Sequence, residues 1–125
     1  MIINKVNIAS AFAGVSEYWS PKIGGDINES QLKFAKFSGV FNWHHHINED
    51  ELFLVVKGTL LMRMRPENGG DVEVKEGEYI IVPKGVEHCP EALTEEVHCL
   101  LLEPRTTVNT GNVVNERTRT ELDRI

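Results

Sequence analysis

The stretch 43-WHHHINEDELFLVVKG-58 sets three consecutive histidines beside three acids and then runs directly into an apolar segment. The chain has only five histidines in 125 residues, so the clustering calls for an explanation. Side chains of an extended segment alternate between faces, which places His44 and His46 on one side and His45 on the other. Two imidazoles spaced in this way can converge on one ion. Asn48, Glu49 and Asp50 form a turn signal that resets the parity, and Glu51 then opens an extended run whose face it shares with Phe53 and Val55. A fourth member lies in 77-GEYIIVPKGVEH-88, where Pro83 and Gly85 shape a turn that delivers His88 back toward the sheet. His45 reads as a packing or surface residue, and Glu49 and Asp50 as solvated turn acids.

Outward from this stretch, strand patterns dominate. Segments 32–37, 51–56, 60–65, 72–74, 79–82 and 97–103 are short and rich in β-branched, aromatic or aliphatic residues. Turn signals at Gly39, Lys57-Gly58, 67–71, 75–77 and 83–85 separate them at close intervals. That spacing predicts an all-β sandwich or barrel. The hairpin at 60–74 is the clearest local unit: Leu61, Arg63 and Arg65 alternate with Leu60, Met62 and Met64, and Asn68, Gly69 and Gly70 supply the turn. Residues 10–25 read as either a short helix before Pro21 or an edge strand. The polar tail 115–125 suggests a short C-terminal helix. No internal repeat or linker is visible, so the expectation is a single domain over 1–125, with a barrel core at about 30–104, an N-terminal arm at 1–29 and a tail at 105–125.

Composition narrows the function classes. Apolar residues make up 41% and charged residues 26% of the chain, the balance of an ordinary globular domain. The net charge of −6 carries no basic block and argues against a nucleic-acid surface. No run approaches the roughly 18 to 20 apolar residues that span a bilayer, and the N-terminus lacks a secretory layout. The expectation is a soluble cytoplasmic protein with no membrane or nucleic-acid partner. Cys89 and Cys99 are too few for a disulfide scaffold and read as buried thiols.

The residues quoted so far resemble the double motif of the cupins. Gly39, His44, His46, Glu51 and Gly58 stand for its first half; Gly77, Pro83, Gly85 and His88 stand for its second. Gly39 lies one residue closer to the first histidine than the pattern expects, and Ala92 stands where many cupins carry Asn; neither departure removes a ligand. Segments 17-EYWSPKIGG-25 and 103-EPRTTVNTGN-112 extend the similarity to small single-domain bacterial cupins loosely described as mannose-6-phosphate-isomerase-like. The resemblance implies a double-stranded β-helix (a jelly-roll barrel), a divalent metal ion inside it held by His44, His46, Glu51 and His88, and a homodimer.

Imidazoles and a carboxylate suit Zn, Ni, Fe or Mn, and three histidines with one glutamate leave positions for water or a chelating ligand. Three functions are compatible with such a site: metal-dependent binding of a small molecule, isomerisation or epimerisation of a sugar or sugar phosphate, and Fe- or Mn-dependent dioxygenation. No residue outside the ligand set declares itself a base. His98 is the one candidate, on the expectation that it shares an inward face with Leu100 and Leu102 and lines the pocket with Phe53. Tyr18, Trp19, Phe41 and Trp43 are further aromatic candidates for the lining. A hairpin around 91–96 would place Cys89 near His98 or Cys99. Arg63 and Arg65 would serve a phosphate only if their strand face looks into the barrel mouth.

Overall fold

The computed structural model describes residues Met1–Ile125. After a short helix α1 (Ile8–Ala13), the chain forms β1 (Lys22–Ile27), β2 (Ser30–Phe37), β3 (Glu51–Lys57), β4 (Leu60–Met64), β5 (Val72–Val74), β6 (Tyr79–Val82), β7 (His88–Ala92) and β8 (Val97–Pro104). Two antiparallel sheets result, a larger one ordered β1-β2-β8-β3-β6 and a smaller one ordered β5-β4-β7. This is the all-β sandwich that the alternating segments predict, in the jelly-roll form that the resemblance implies. The core between the sheets is built from inward-facing residues such as Phe37, Phe53, Val55, Leu60, Met62 and Val97.

Local chemistry accounts for the elements. In β3 burial alternates residue by residue, with Glu51, Phe53 and Val55 inside, as a strand with one face on a core requires. The 60–74 hairpin forms as expected, pairing Leu60 with Val74 and Met62 with Val72. Its turn is a 3-10 segment at Pro66–Asn68 closed by Gly69. The 10–25 region resolves into both alternatives in succession. Asn7 caps α1 by accepting from the Ser10 amide at 3.0 Å, and β1 follows as an edge strand on β2. The tail forms no helix. The Asn115 and Thr118 side chains instead accept hydrogen bonds from the backbone amides of Arg117 and Asn115, a local alternative that competes with helix formation.

Two strands carry no legible pattern. β1, 22-KIGGDI-27, has two glycines at its centre, and β7, 88-HCPEA-92, contains a proline. Proline is ordinarily confined to edges. β7 tolerates it because one neighbour is β4 and the other is the irregular 39–46 segment, whose Phe41 amide donates to the Pro90 carbonyl at 3.0 Å. The 91–96 turn is a crossing between sheets rather than a hairpin: β7 pairs with β4, whereas β8 lies between β2 and β3. Cys89 and His98 or Cys99 are therefore not brought together by strand pairing, contrary to the expectation from sequence. Both thiols are buried and free. No helix is long and apolar enough to cross a membrane.

Candidate metal centre

His44 and His46 lie on the extended 39–46 segment, Glu51 is the first residue of β3, and His88 is the first residue of β7. His44 and His88 face each other across an antiparallel bridge, each amide donating to the other's carbonyl at 3.0 and 2.9 Å. The Gly85 amide donates to the His46 carbonyl at 2.7 Å, so the Pro83–Gly85 turn holds the second histidine as well as delivering the third. The parity reset before β3 is real: the Asp50 carboxylate accepts from the Lys84 amide at 2.9 Å, and Glu49 accepts from the Thr106 hydroxyl at 2.8 Å. Neither acid enters the cluster.

All four expected ligands are buried, and their donor atoms lie within 4.8 Å of one another. That is close to the span around a single ion, where donors at about 2.1 Å from the metal are at most about 4.2 Å apart. His46 Nε2, His88 Nε2 and Glu51 Oε1 are buried without hydrogen-bond partners. Glu51 Oε1 is 3.4 Å from both of those nitrogens, so the three atoms point at a common centre. His44 Nδ1 is 2.9 Å from the Asn42 carbonyl and His88 Nδ1 is 2.9 Å from the Val86 carbonyl. A carbonyl only accepts, so Nδ1 carries the proton and Nε2 presents its lone pair to the centre.

The protonation states agree with this donor set. Burial, reinforced by the nearby His88, lowers the pKa of His44 to about 4, which leaves its imidazole neutral near pH 7. For Glu51 burial opposes ionisation, but the adjacent Glu103, His46 and His88 outweigh it and hold the carboxyl well below its usual range. Neutral imidazoles and an ionised carboxylate are the forms a cation requires.

The cluster opens onto a cavity of about 30 Å³ lined by Trp19, Phe37, Phe41, Phe53, Leu101 and Glu103, along with His44 and Glu51. Phe53, Trp19 and Phe41, aromatic candidates from the sequence, line this cavity and also belong to the core. Trp43 is not part of the lining; it lies under the Arg65 guanidinium at 3.7 Å. Tyr18 is exposed and donates to Glu96 at 2.7 Å.

The assignment of His98 to the pocket is overturned by strand parity. In β8 the inward row is Val97, Cys99, Leu101 and Glu103. His98 lies on the outer face, stacked on Phe12 of α1 at 4.8 Å and bonded to Glu96 at 2.9 Å. Burial raises the pKa of both thiols, Cys99 especially, which disfavours the nucleophilic thiolate. Arg63 and Arg65 point outward and pair with Glu91 and Glu87 at 3.0 and 2.7 Å.

Two features escaped the sequence reading. Glu103 is almost wholly buried, and burial together with the charge of Glu51 pushes its carboxyl well above the usual range despite Lys33. The tail also braces the ligand segment. Asn112 accepts from the His45 amide through its side chain at 2.9 Å and donates its own amide to the His45 carbonyl at 3.1 Å. Beside it Gly111 sits at φ +57, where an added Cβ would lie 2.3 Å from the His45 carbonyl oxygen and 2.9 Å from the His44 ring.

Comparison with known proteins agrees with this architecture. A cupin-2 domain protein of Shewanella frigidimarina superposes with a TM-score of 0.74 at 36% identity, covering 79% of this chain and 93% of that one. The uncharacterised protein YdbB of Bacillus subtilis is 33% identical over 63 residues, half of this chain and 54% of its own length. The 3-hydroxyanthranilate 3,4-dioxygenase of Xenopus laevis is 29% identical over 97 residues, 74% of this chain but only 34% of the enzyme. The chain thus spans about half the length of one of these curated relatives and a third of the other. The profile of the cupin domain matches residues 33–104, which include all four clustered residues as well as Glu103; the chain belongs to the cupin-domain family.

Proposed function

We propose that this protein binds one divalent transition-metal ion through His44, His46, Glu51 and His88 and uses it to capture a small oxygen-bearing molecule. The observation that carries this reading is the set of three buried donor atoms without partners, backed by two histidines whose other nitrogens are tied to carbonyls. Orphaned buried polar atoms are costly in a folded protein unless something absent from the chain itself satisfies them. The bound ion would supply Lewis acidity and open coordination positions. The chain's own residues orient the donors, and the aromatic wall of Trp19, Phe37, Phe41 and Phe53 keeps water from the ligand's apolar side.

The test is elemental analysis of protein purified without added metal, followed by chelation and titration with Zn, Ni, Mn and Fe. One ion per chain is expected. Absence of any metal, with no uptake on titration, would overturn the proposal.

A second reading, an Fe-dependent dioxygenase, is favoured by the likeness to the Xenopus enzyme. Oxygen consumption by the Fe(II)-loaded protein with 3-hydroxyanthranilate would support it. Silence there, with metal bound, leaves the binding role. Sugar-phosphate isomerisation, suggested by the mannose-6-phosphate-isomerase-like resemblance, loses its phosphate clamp because Arg63 and Arg65 are engaged outside the barrel. A homodimer suits the exposed apolar residues Tyr79 and Ile81 on the outer face of the larger sheet, since such patches commonly mark interfaces.

A further inference from the structure

A row of charge crosses the inner face of the larger sheet on three neighbouring strands. Lys33 of β2 and Glu103 of β8 are 1% and 3% exposed, and Lys33 Nζ donates to Glu103 Oε1 at 2.8 Å. Glu51 of β3 stands next in the row, because the register that pairs Leu52 with Leu102 places Glu51 opposite Glu103. A buried ion pair is a poor device for stability, since the cost of desolvating two charges offsets much of their attraction and an apolar pair of similar volume often serves as well. This pair also leaves Glu103 Oε2 buried with nothing but the neighbouring Glu51 carboxyl to meet it, on the wall of the cavity that His44 and Glu51 share. Lys33 fixes one carboxyl oxygen, and the second is thereby held in a set direction beside the metal ligands. The nearby cavity of about 30 Å³ has room for a group of about two waters' size. Whatever enters must present a small polar end.

We propose that Glu103, positioned by Lys33, is a ligand-contact residue whose free oxygen exchanges a hydrogen bond with a hydroxyl of the captured molecule, so that the site selects hydroxyl-bearing oxygen chelators such as α-hydroxy acids and hydroxy-carbonyl compounds. This rests on the metal-binding role proposed above: the chelating end of the ligand meets the ion, and the adjacent hydroxyl meets Glu103. Paired with Lys33, Glu103 accepts from the ligand hydroxyl, a bond that a methyl ether has no proton to make, and the aromatic surroundings strengthen it by excluding water.

The test uses protein loaded with Co(II), whose visible absorption reports ligand binding, and two matched probes. Glycolate has the hydroxyl; methoxyacetate has the same chelating oxygens with that hydroxyl capped. Relative to the preference of aqueous Co(II), the wild-type protein is expected to favour glycolate by about 10-fold, the worth of one buried charge-assisted hydrogen bond. The double variant Lys33→Met/Glu103→Leu, which removes the pair without stranding a charge, should lose that preference at whatever Co(II) loading it retains. Equal affinity for the two probes in the wild type overturns the proposal, whether or not the double variant folds. So does a preference that survives in a folded double variant. Failure of the wild type to bind Co(II) would instead remove the metal reading on which it rests.

Discussion

His44, His46 and His45 illustrate how a single-residue step divides roles within one run of identical side chains. The first two aim their rings at Glu51 and His88, whereas His45 contributes its backbone to the tail. Replacing His44, His46, Glu51 or His88 with Ala is therefore expected to weaken metal binding by at least about 10-fold. His45→Ala, which leaves the backbone contacts in place, should change it little. Competition titration against a chromophoric chelator measures all five, and equal losses across the set would contradict the division. The same one-residue logic limited what could be read in β8. Val97, Cys99 and Leu101 on one face and Leu100 and Leu102 on the other are equally apolar, because α1 covers part of the outer face. With no polar row to mark the solvent side, His98 reads as inward when it lies outside, and that single parity step hides Glu103, the acid that lines the cavity.

At the level of elements, the strands with alternating side chains and the 60–74 hairpin were legible because period-two burial and turn residues both report on the local chain. β1 and β7 were not legible, since their glycines and proline take their strand conformation from neighbours rather than from their own propensities. The β3–β4 connection shows how strictly local geometry can constrain a residue. Gly58 sits at φ +84, and a Cβ there would lie 2.5 Å from both the Glu96 carbonyl oxygen and the Thr94 hydroxyl oxygen. Gly58→Ala combines the left-handed penalty of about 1–2 kcal/mol with this backbone clash. Urea unfolding is expected to show a loss of at least about 2 kcal/mol. The loss should come with little change in metal stoichiometry, because the turn lies away from the ligands.

Across the whole molecule, four ligands from three separate stretches meet only when the two sheets close on each other, so the metal-free fold has to keep neutral and charged donors dry together. That has a consequence for acid stability. His44 titrates at about 4 when folded against 6.5 ordinarily, so between those values the unfolded chain takes up a proton that the folded chain refuses. Its contribution to stability is thus intact above about 6.5 and is lost as the pH falls. Glu103, raised in the folded state, acts in the opposite sense. A comparison with the variant His44→Gln isolates the histidine. From about pH 7 to about pH 5, metal-free wild type should lose about 2 kcal/mol relative to that variant. Urea midpoints at the two pH values measure the difference, and parallel behaviour of the two proteins would contradict it.

Asn112 and Gly111 lie outside the matched stretch 33–104, yet they grip the backbone between two ligands. Docking of the tail and capture of the ion are therefore two equilibria joined through His45. Thermodynamic linkage makes such coupling reciprocal: whatever factor the docked tail adds to metal affinity, the metal returns to tail docking. Bound metal should slow proteolysis within residues 105–125, and Asn112→Ala, which removes one of the two contacts to His45, should weaken metal binding. Proteolysis at the same rate with and without metal would mean that the tail and the ion do not share that segment energetically.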